Sequence, residues 1–124
     1  MTLTNFQVLT LYPALASLRD DKDLKLPVRV GYKLLRNIEL LSSSYETIQK
    51  MRDEIVIKYG DLIDDKGTYQ VPPEKVEEAN KELNDLAQVE AEYNILPIEL
   101  KQIEDLPLSL DSLNSIYEII IDGE

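Results

Sequence analysis

The stretch YGDLIDDKGTYQVPPE, residues 59–74, holds the residue types best suited to binding a metal ion. Three carboxylates and a glycine fall within seven positions of it: Asp61, Asp64, Asp65 and Gly67. An EF-hand calcium loop starting at Asp61 would need an oxygen ligand, a glycine and a glutamate where this chain has Ile63, Lys66 and Pro72. We therefore predict no metal here, but a polar turn in which Asp side chains accept hydrogen bonds from nearby backbone N–H groups.

The chain contains few of the residue types that enzymes use for catalysis. It has no Cys and no His, which excludes disulfides, thiolate nucleophiles, imidazole bases and the usual zinc, copper and haem ligands. Its 24 Asp and Glu residues could supply the carboxylate pair of a hydrolase, but nothing in the pattern singles out two of them. We predict a non-enzymatic protein without a cofactor, and a carboxylate-based hydrolase is the alternative from another class.

The net charge of −11 is distributed unevenly along the chain. Residues 1–60 hold nine Lys and Arg against seven Asp and Glu, whereas residues 61–124 hold four against seventeen. A strongly acidic half repels phosphate backbones, so the charge predicts no direct nucleic-acid binding, except through the small cluster Arg29, Lys33 and Arg36, and favours basic partners.

Two groups of charged side chains are candidate partner contacts. The first lies at i, i+4 and i+7 on one face of a predicted helix and consists of Arg29, Lys33 and Arg36. The second is the set of glutamates in the next helix: Glu74, Glu77, Glu78 and Glu82. The simpler interpretation of both groups is a helix face that is exposed to solvent. The functional hypotheses are an anion or acidic-partner patch for the first group and imitation of nucleic-acid phosphates for the second.

One long helix dominates the predicted architecture of a single domain of 124 residues. Apolar residues recur every three or four positions from Val28 to Leu62, passing through Tyr32, Leu35, Ile48, Met51, Tyr45 and Tyr59. This spacing predicts a helix of about 30 residues between Pro27 and Gly60, with the apolar stripe and its tyrosines packed in the core. A second helix after Pro73 would form an antiparallel helical hairpin with it.

The remaining elements complete an α+β fold. We expect a first strand around Leu3 to Phe6 and then a short helix with Pro13 in its first turn. Alternating apolar residues over 89–103 predict a β-hairpin, which forms a small antiparallel sheet with the first strand. Ser109 would cap a C-terminal helix that carries Leu110, Leu113, Ile116, Tyr117 and Ile120 at helical spacing, although the composition of its last residues is strand-like.

The N-terminal residues show no basic segment before the apolar stretch, so they predict neither a signal peptide nor a membrane span. The expected location is therefore the cytoplasm of the producing cell, without membrane association.

Several stretches, taken in order, resemble a family of small proteins of unknown function encoded by tailed phages of Gram-positive bacteria. They are LYPALASL (11–18), LPVRVGYKLLRNIELL (26–41), RDEIVIKYGDLIDDKGTYQV (52–71) and EEANKELNDLAQVEAEYNILPIEL (77–100). The resemblance implies a virion-associated or assembly-accessory protein and supplies no activity or site.

Together these observations predict a phage accessory protein that acts by protein–protein interaction in the host cytoplasm or in the virion, either as a single chain or as a homo-oligomer. The alternative is an inhibitor of a host defence or nucleic-acid enzyme that acts by acidic DNA mimicry.

Overall fold

A long helix organises the α+β structure, a computed structural model that describes residues 1–121. The helices are α1 (Asn5–Asp20), α2 (Val28–Tyr59), α3 (Val76–Gln88), α4 (Leu100–Ile103) and α5 (Leu110–Ser115). The strands are β1 (Thr2–Thr4), β2 (Asp61–Leu62), β3 (Tyr69–Gln70), β4 (Glu90–Glu92), β5 (Ile98–Glu99) and β6 (Ile120–Ile121). The predicted fold class is confirmed.

The first helix begins earlier than predicted because Thr4 caps it. The Thr4 hydroxyl accepts a hydrogen bond from the backbone N–H of Gln7 at 3.1 Å, and the Gln7 side chain accepts one from the Thr4 N–H at 2.8 Å. This capping box shortens the predicted first strand to three residues and starts a helix of 16 residues. Pro13 consequently lies in the middle of α1, on an exposed side, and not in the first turn as predicted.

The prediction of the long helix is confirmed, because α2 spans 32 residues, about 48 Å at the standard rise. The predicted apolar stripe is wrong in the first turns of this helix. Val28 is 88% exposed and Tyr32 60% exposed, so Tyr32 does not pack in the core. The buried positions are Val30, Leu34, Asn37, Ile38, Leu41 and Ile48. Further along, Met51 is also exposed, whereas Tyr45 and Tyr59 are half-buried.

Helices α1 and α3 both pack on α2, in different places. The ring of Tyr12 in α1 stacks on that of Tyr45, with 4.5 Å between the ring centroids. In α3, Glu82 pairs with Lys58 in the last turns of α2 at 2.9 Å. The predicted helical hairpin of α2 and α3 is therefore confirmed, and α1 adds a further helix that the prediction underestimated.

The segment after β4 packs on the first half of α2. Asn37 is fully buried there, and its amide group both donates to the backbone oxygen of Leu96, at 2.9 Å, and accepts from the Leu96 N–H, at 2.8 Å. Lys33 donates to the Gln102 side chain at 3.3 Å. One hydrophobic cluster runs through all these elements, from Leu3 to Ile119.

Within residues 1–121 the strands form three separate two-stranded sheets, so the predicted 89–103 hairpin is wrong. β4 pairs antiparallel with β1, so this part of the predicted sheet with the first strand is present, but β5 pairs parallel with β6. Residues 100–103 form α4 and not a strand. The third pair, β2 with β3, is a small hairpin between α2 and α3.

The predicted C-terminal helix is shorter than expected. Ser109 does cap it, since its hydroxyl accepts from the Ser112 N–H at 3.1 Å. The helix ends at Ser115, and a 3-10 turn and then β6 follow. The strand-like composition of the last apolar residues therefore outweighs their helical spacing at this point.

Candidate partner-binding surfaces

The acidic loop that first suggested a metal site is a hydrogen-bonded turn between β2 and β3. Asp64 Oδ1 accepts from the backbone N–H of Lys66 at 2.9 Å and of Thr68 at 3.1 Å, and Gly67 adopts a φ of +82°. The bonds from Thr68 and Lys66 lower the pKa of Asp64, because they stabilise the carboxylate. The prediction of a polar turn is confirmed. Within residues 1–121, no group of three or more potential ligand side chains could hold a metal ion.

Glycine is needed where α2 meets this turn. A Cβ at Gly60 would lie 2.5 Å from the backbone oxygen of Val56 and 3.2 Å from the Cβ of Tyr69. The hairpin therefore folds back closely on the end of α2, which fixes its direction relative to the helix pair.

The three predicted basic residues lie on the first turns of α2. Arg36 pairs with Glu39 at 3.1 Å, and Lys33 is partly covered by its bond to Gln102. Arg29 is exposed, and no carboxylate of residues 1–121 forms an ion pair with it. Two of the three cations, Arg29 and Arg36, are thus exposed on the surface, and Arg29 is free of an ion pair in the described part of the chain.

Exposed apolar residues lie beside these cations. Val28, Tyr32 and Leu35 are 88%, 60% and 49% exposed and follow one another at i, i+4 and i+7, so they form a ridge on one side of the helix. We call the ridge and its cations the α2 start surface: Val28, Arg29, Tyr32, Lys33, Leu35 and Arg36.

The predicted glutamates separate into two groups. All three of Glu74, Glu77 and Glu78 are exposed. Glu74 lies in the 3-10 turn Pro73–Lys75 that precedes α3, and Glu77 and Glu78 lie in the first turn of α3, away from the buried Ala79 and Leu86. Helical spacing adds two more exposed side chains to this side. We call it the α3 outer face: Glu74, Glu77, Glu78, Lys81 and Asp85.

Glu82 lies on the inner flank of α3, where it joins this helix to α2. Its Oε1 accepts from Lys58 Nζ at 2.9 Å, and its Oε2 is buried without a hydrogen-bond partner in residues 1–121. The bond from Lys58 lowers the pKa of Glu82 and raises that of Lys58. The same carboxylate raises the pKa of the Tyr59 hydroxyl, because it stabilises the protonated phenol. Glu82 thus holds the hairpin together and is half-covered.

The ion pair between Lys58 and Glu82 predicts that part of the stability of the protein depends on pH. Because the pKa of Glu82 is lowered by folding, its contribution is present above the ordinary value of 4.5 and is lost as the pH falls through the lowered value. Glu82→Gln should therefore lower the melting temperature at pH 7, and the difference from wild type should shrink towards pH 3.

The matched control is Glu78→Gln, on the exposed outer face of the same helix. It should leave the melting temperature near that of wild type throughout this range. A constant difference between Glu82→Gln and wild type from pH 7 to pH 3 would contradict the assignment.

A groove of about 820 Å³ with a mainly apolar lining lies near the end of the described chain. Its apolar lining comes from both ends of the sequence and from α4: Met1, Leu100, Leu110, Leu113, Tyr117 and Ile121. Leu110 is 84% exposed and Tyr117 72% exposed. The predicted helix included Tyr117, but α5 ends at Ser115, and Tyr117 lies in the 3-10 turn that follows. We call this site the C-terminal groove.

Sequence reasoning did not identify Asn37 or the C-terminal groove. A polar residue among the apolar positions of α2 was the available signal for Asn37, since a buried amide must find partners. No comparable signal exists for the groove, which joins residues more than 100 positions apart.

No helix within residues 1–121 combines the length and the apolar character needed to cross a bilayer. Comparison with known proteins gives no match to a family model, to a curated protein or to a solved structure. The resemblance to a tailed-phage family therefore stays a prediction, and no family is assigned to the chain.

Proposed function

We propose that the protein acts without catalysis, by binding a protein partner in the C-terminal groove. The observation that carries this proposal is the exposure of Leu110 and Tyr117 together in one concave apolar site. Contiguous exposed apolar surface of this kind is typical of protein-binding sites, because its contact with water is unfavourable until a partner covers it.

The borders of the groove indicate which kind of segment it accepts. β1 and β6 belong to different two-stranded sheets, and residues of both line the groove. Next to the β1–β4 pair, the backbone oxygen of Met1 accepts from the Tyr93 N–H, and the Asn5 N–H donates to the oxygen of Val89. Successive residues of a strand direct their backbone groups to opposite edges, so those of Thr2 point away from β4, to the free edge of β1. An extended segment can add to such an edge through backbone hydrogen bonds.

The side chains of the partner segment follow from the lining. Glu118 is the one acidic or basic side chain among the described residues that line the groove. The groove therefore fits an extended segment with apolar side chains and few acidic ones, since a carboxylate next to Glu118 would be repelled.

Substitution in the groove tests the proposal. The double variant Leu110→Ser, Tyr117→Ser removes its two most exposed apolar side chains and should bind the partner at least tenfold more weakly, a loss of about 1.4 kcal/mol or more. Partner proteins would be captured from cells that express the protein. The amount bound by wild type would then be compared with the amounts bound by this variant and by the control described next.

The matched control is Ile57→Ser, Ile63→Ser, which removes apolar side chains that are 49% and 56% exposed elsewhere. A photoactivatable residue at position 117 should crosslink to the same partner, and one at position 63 should not. Equal capture by the groove variant and the control would overturn the proposal.

The phage resemblance adds a context to this function. We propose a virion-associated or assembly-accessory role, with the protein in the host cytoplasm or in the particle. Co-purification with assembled particles, lost in the groove variant and kept in the control, is the corresponding test.

A second candidate, inhibition of a host defence or nucleic-acid enzyme by phosphate mimicry, is favoured by the α3 outer face. Four carboxylates are exposed there, but Lys81 lies among them and weakens the likeness to a phosphate row. Mimicry requires that the captured partner be a nucleic-acid-binding protein and that DNA compete with this chain for it.

A further inference from the structure

We propose that the α2 start surface of one copy binds the α3 outer face of a second copy, so that chains associate head to tail. This contact uses neither the C-terminal groove nor any residue of its lining.

The first observation is the composition of the α2 start surface. An apolar ridge of three side chains, each about half to nine-tenths exposed, runs beside Arg29 and Arg36. Helix faces of this kind bind partners that cover the apolar ridge and bring opposite charge to its edge. The surface thus suits a partner that combines acidic with apolar side chains.

The second observation is that the same chain carries such a surface. The α3 outer face presents four carboxylates against one cation, Lys81, and Val76 at its edge is 39% exposed. The two surfaces have similar lengths, since residues 28–36 and 74–85 span about 12 and 17 Å at the helical rise per residue. One face therefore matches the other in charge and in extent.

The third observation is the position of the two surfaces. The α2 start surface occupies the first turns of a helix about 48 Å long, whereas α3 packs on its second half, as the pair between Lys58 and Glu82 shows. One chain cannot bring its own two surfaces together. The contact is therefore between copies, and because it joins different surfaces it is heterologous and produces chains or rings.

The energetics favour reversible association. Exposed ion pairs contribute little each, Arg36 already pairs with Glu39, and copies with a net charge of −11 repel one another. Burial of the ridge Val28, Tyr32 and Leu35 must supply most of the affinity. The assembly is thus expected to depend on protein concentration.

Sedimentation velocity over a concentration series tests the proposal with two charge-reversed variants. The start variant is Arg29→Glu, Arg36→Glu, and the face variant is Glu77→Lys, Glu78→Lys. Wild type should show concentration-dependent association, and each variant alone should associate at least tenfold more weakly. An equimolar mixture should recover association, because the face variant brings an intact start surface and the start variant an intact acidic face.

Matched controls make the same change in net charge elsewhere on the exposed surface. They are Lys22→Glu, Lys25→Glu for the start variant and Glu104→Lys, Asp105→Lys for the face variant, and both should associate like wild type. A wild-type protein that stays monomeric up to about 1 mM, the limit of weak affinity, would overturn the proposal. So would a mixture that fails to recover, or association lost in the groove variant but kept in both charge variants. The first two outcomes leave partner binding in the groove untouched, whereas the third would place the self-association contact in the groove.

Discussion

A proline at position 48 is expected to abolish the cooperative thermal unfolding of the protein. Ile48 lies in the middle of α2, is 4% exposed and belongs to the hydrophobic cluster shared by α1, α2 and the C-terminal segment. Proline removes one backbone hydrogen bond of the helix and clashes with the preceding turn, at a cost of about 3 kcal/mol or more. Loss of the buried side chain adds to this, in a protein whose total stability is expected to be about 5–15 kcal/mol.

Two further variants separate the causes. Ile48→Ala removes the side chain without breaking the helix and should cost about 2–5 kcal/mol while leaving a cooperative melt. Val28→Pro places proline at the first position of α2, where the residue is exposed and the N–H has no helical partner, so it should change stability little. Circular dichroism melts distinguish the three. A cooperative transition in Ile48→Pro close to that of wild type would contradict the role of α2 as the common support.

The bounds of α2 were predictable because few residues interrupt helices. Between Pro27 and Gly60 the only glycine or proline is Gly31, and proline before a helix and glycine after it agree with the preferences of helix ends. The buried side was not predictable. The series Val28, Tyr32, Leu35 and the series Val30, Leu34, Ile38 both have helical spacing, and the second is buried because the C-terminal segment packs there.

Strand pairing was harder to predict than helix position. β4 pairs with β1, about 90 residues away, and β5 pairs with β6 across α4 and α5. Strands of two or three residues carry too short a pattern to specify a partner, so the sequence favoured the nearest pairing, a hairpin. The same limit applies to the C-terminal groove, which exists because these distant pairings bring both ends of the described chain together.

The charged candidates show what periodicity can and cannot predict. Spacing correctly placed Arg29 and Arg36 on an exposed side of α2 and Glu77 and Glu78 on an exposed side of α3. It did not predict that Glu82, one turn further on, faces Lys58 of α2. Periodicity shows which side chains share a face of a helix. Only packing against a second helix decides which of those faces is covered.

Asn37 holds the C-terminal segment against α2, and its replacement by leucine is expected to destabilise the protein by roughly 2–6 kcal/mol. The side chain is fully buried, and its amide satisfies both the N–H and the oxygen of Leu96 at 2.8 and 2.9 Å. Leucine has a similar volume but leaves both backbone groups buried without partners, at about 1–3 kcal/mol each. Hydrogen exchange should show the largest loss of protection in residues 95–121.

The variant Asn37→Asp distinguishes lost hydrogen bonds from altered packing, because its shape is almost that of asparagine. A neutral carboxyl can accept from the Leu96 N–H and donate to its oxygen, whereas the carboxylate cannot donate and is costly to bury. Burial raises the pKa of such a group, so the penalty is absent at low pH and grows as the pH rises above about 3.9. We therefore expect the stability deficit of Asn37→Asp relative to wild type to be largest near pH 7 and to shrink towards pH 3. For Asn37→Leu the deficit should stay the same across this range. If the two variants showed the same pH dependence, or if Asn37→Leu melted within about 1 kcal/mol of wild type, the paired hydrogen bonds to Leu96 would not be what fixes the C-terminal segment.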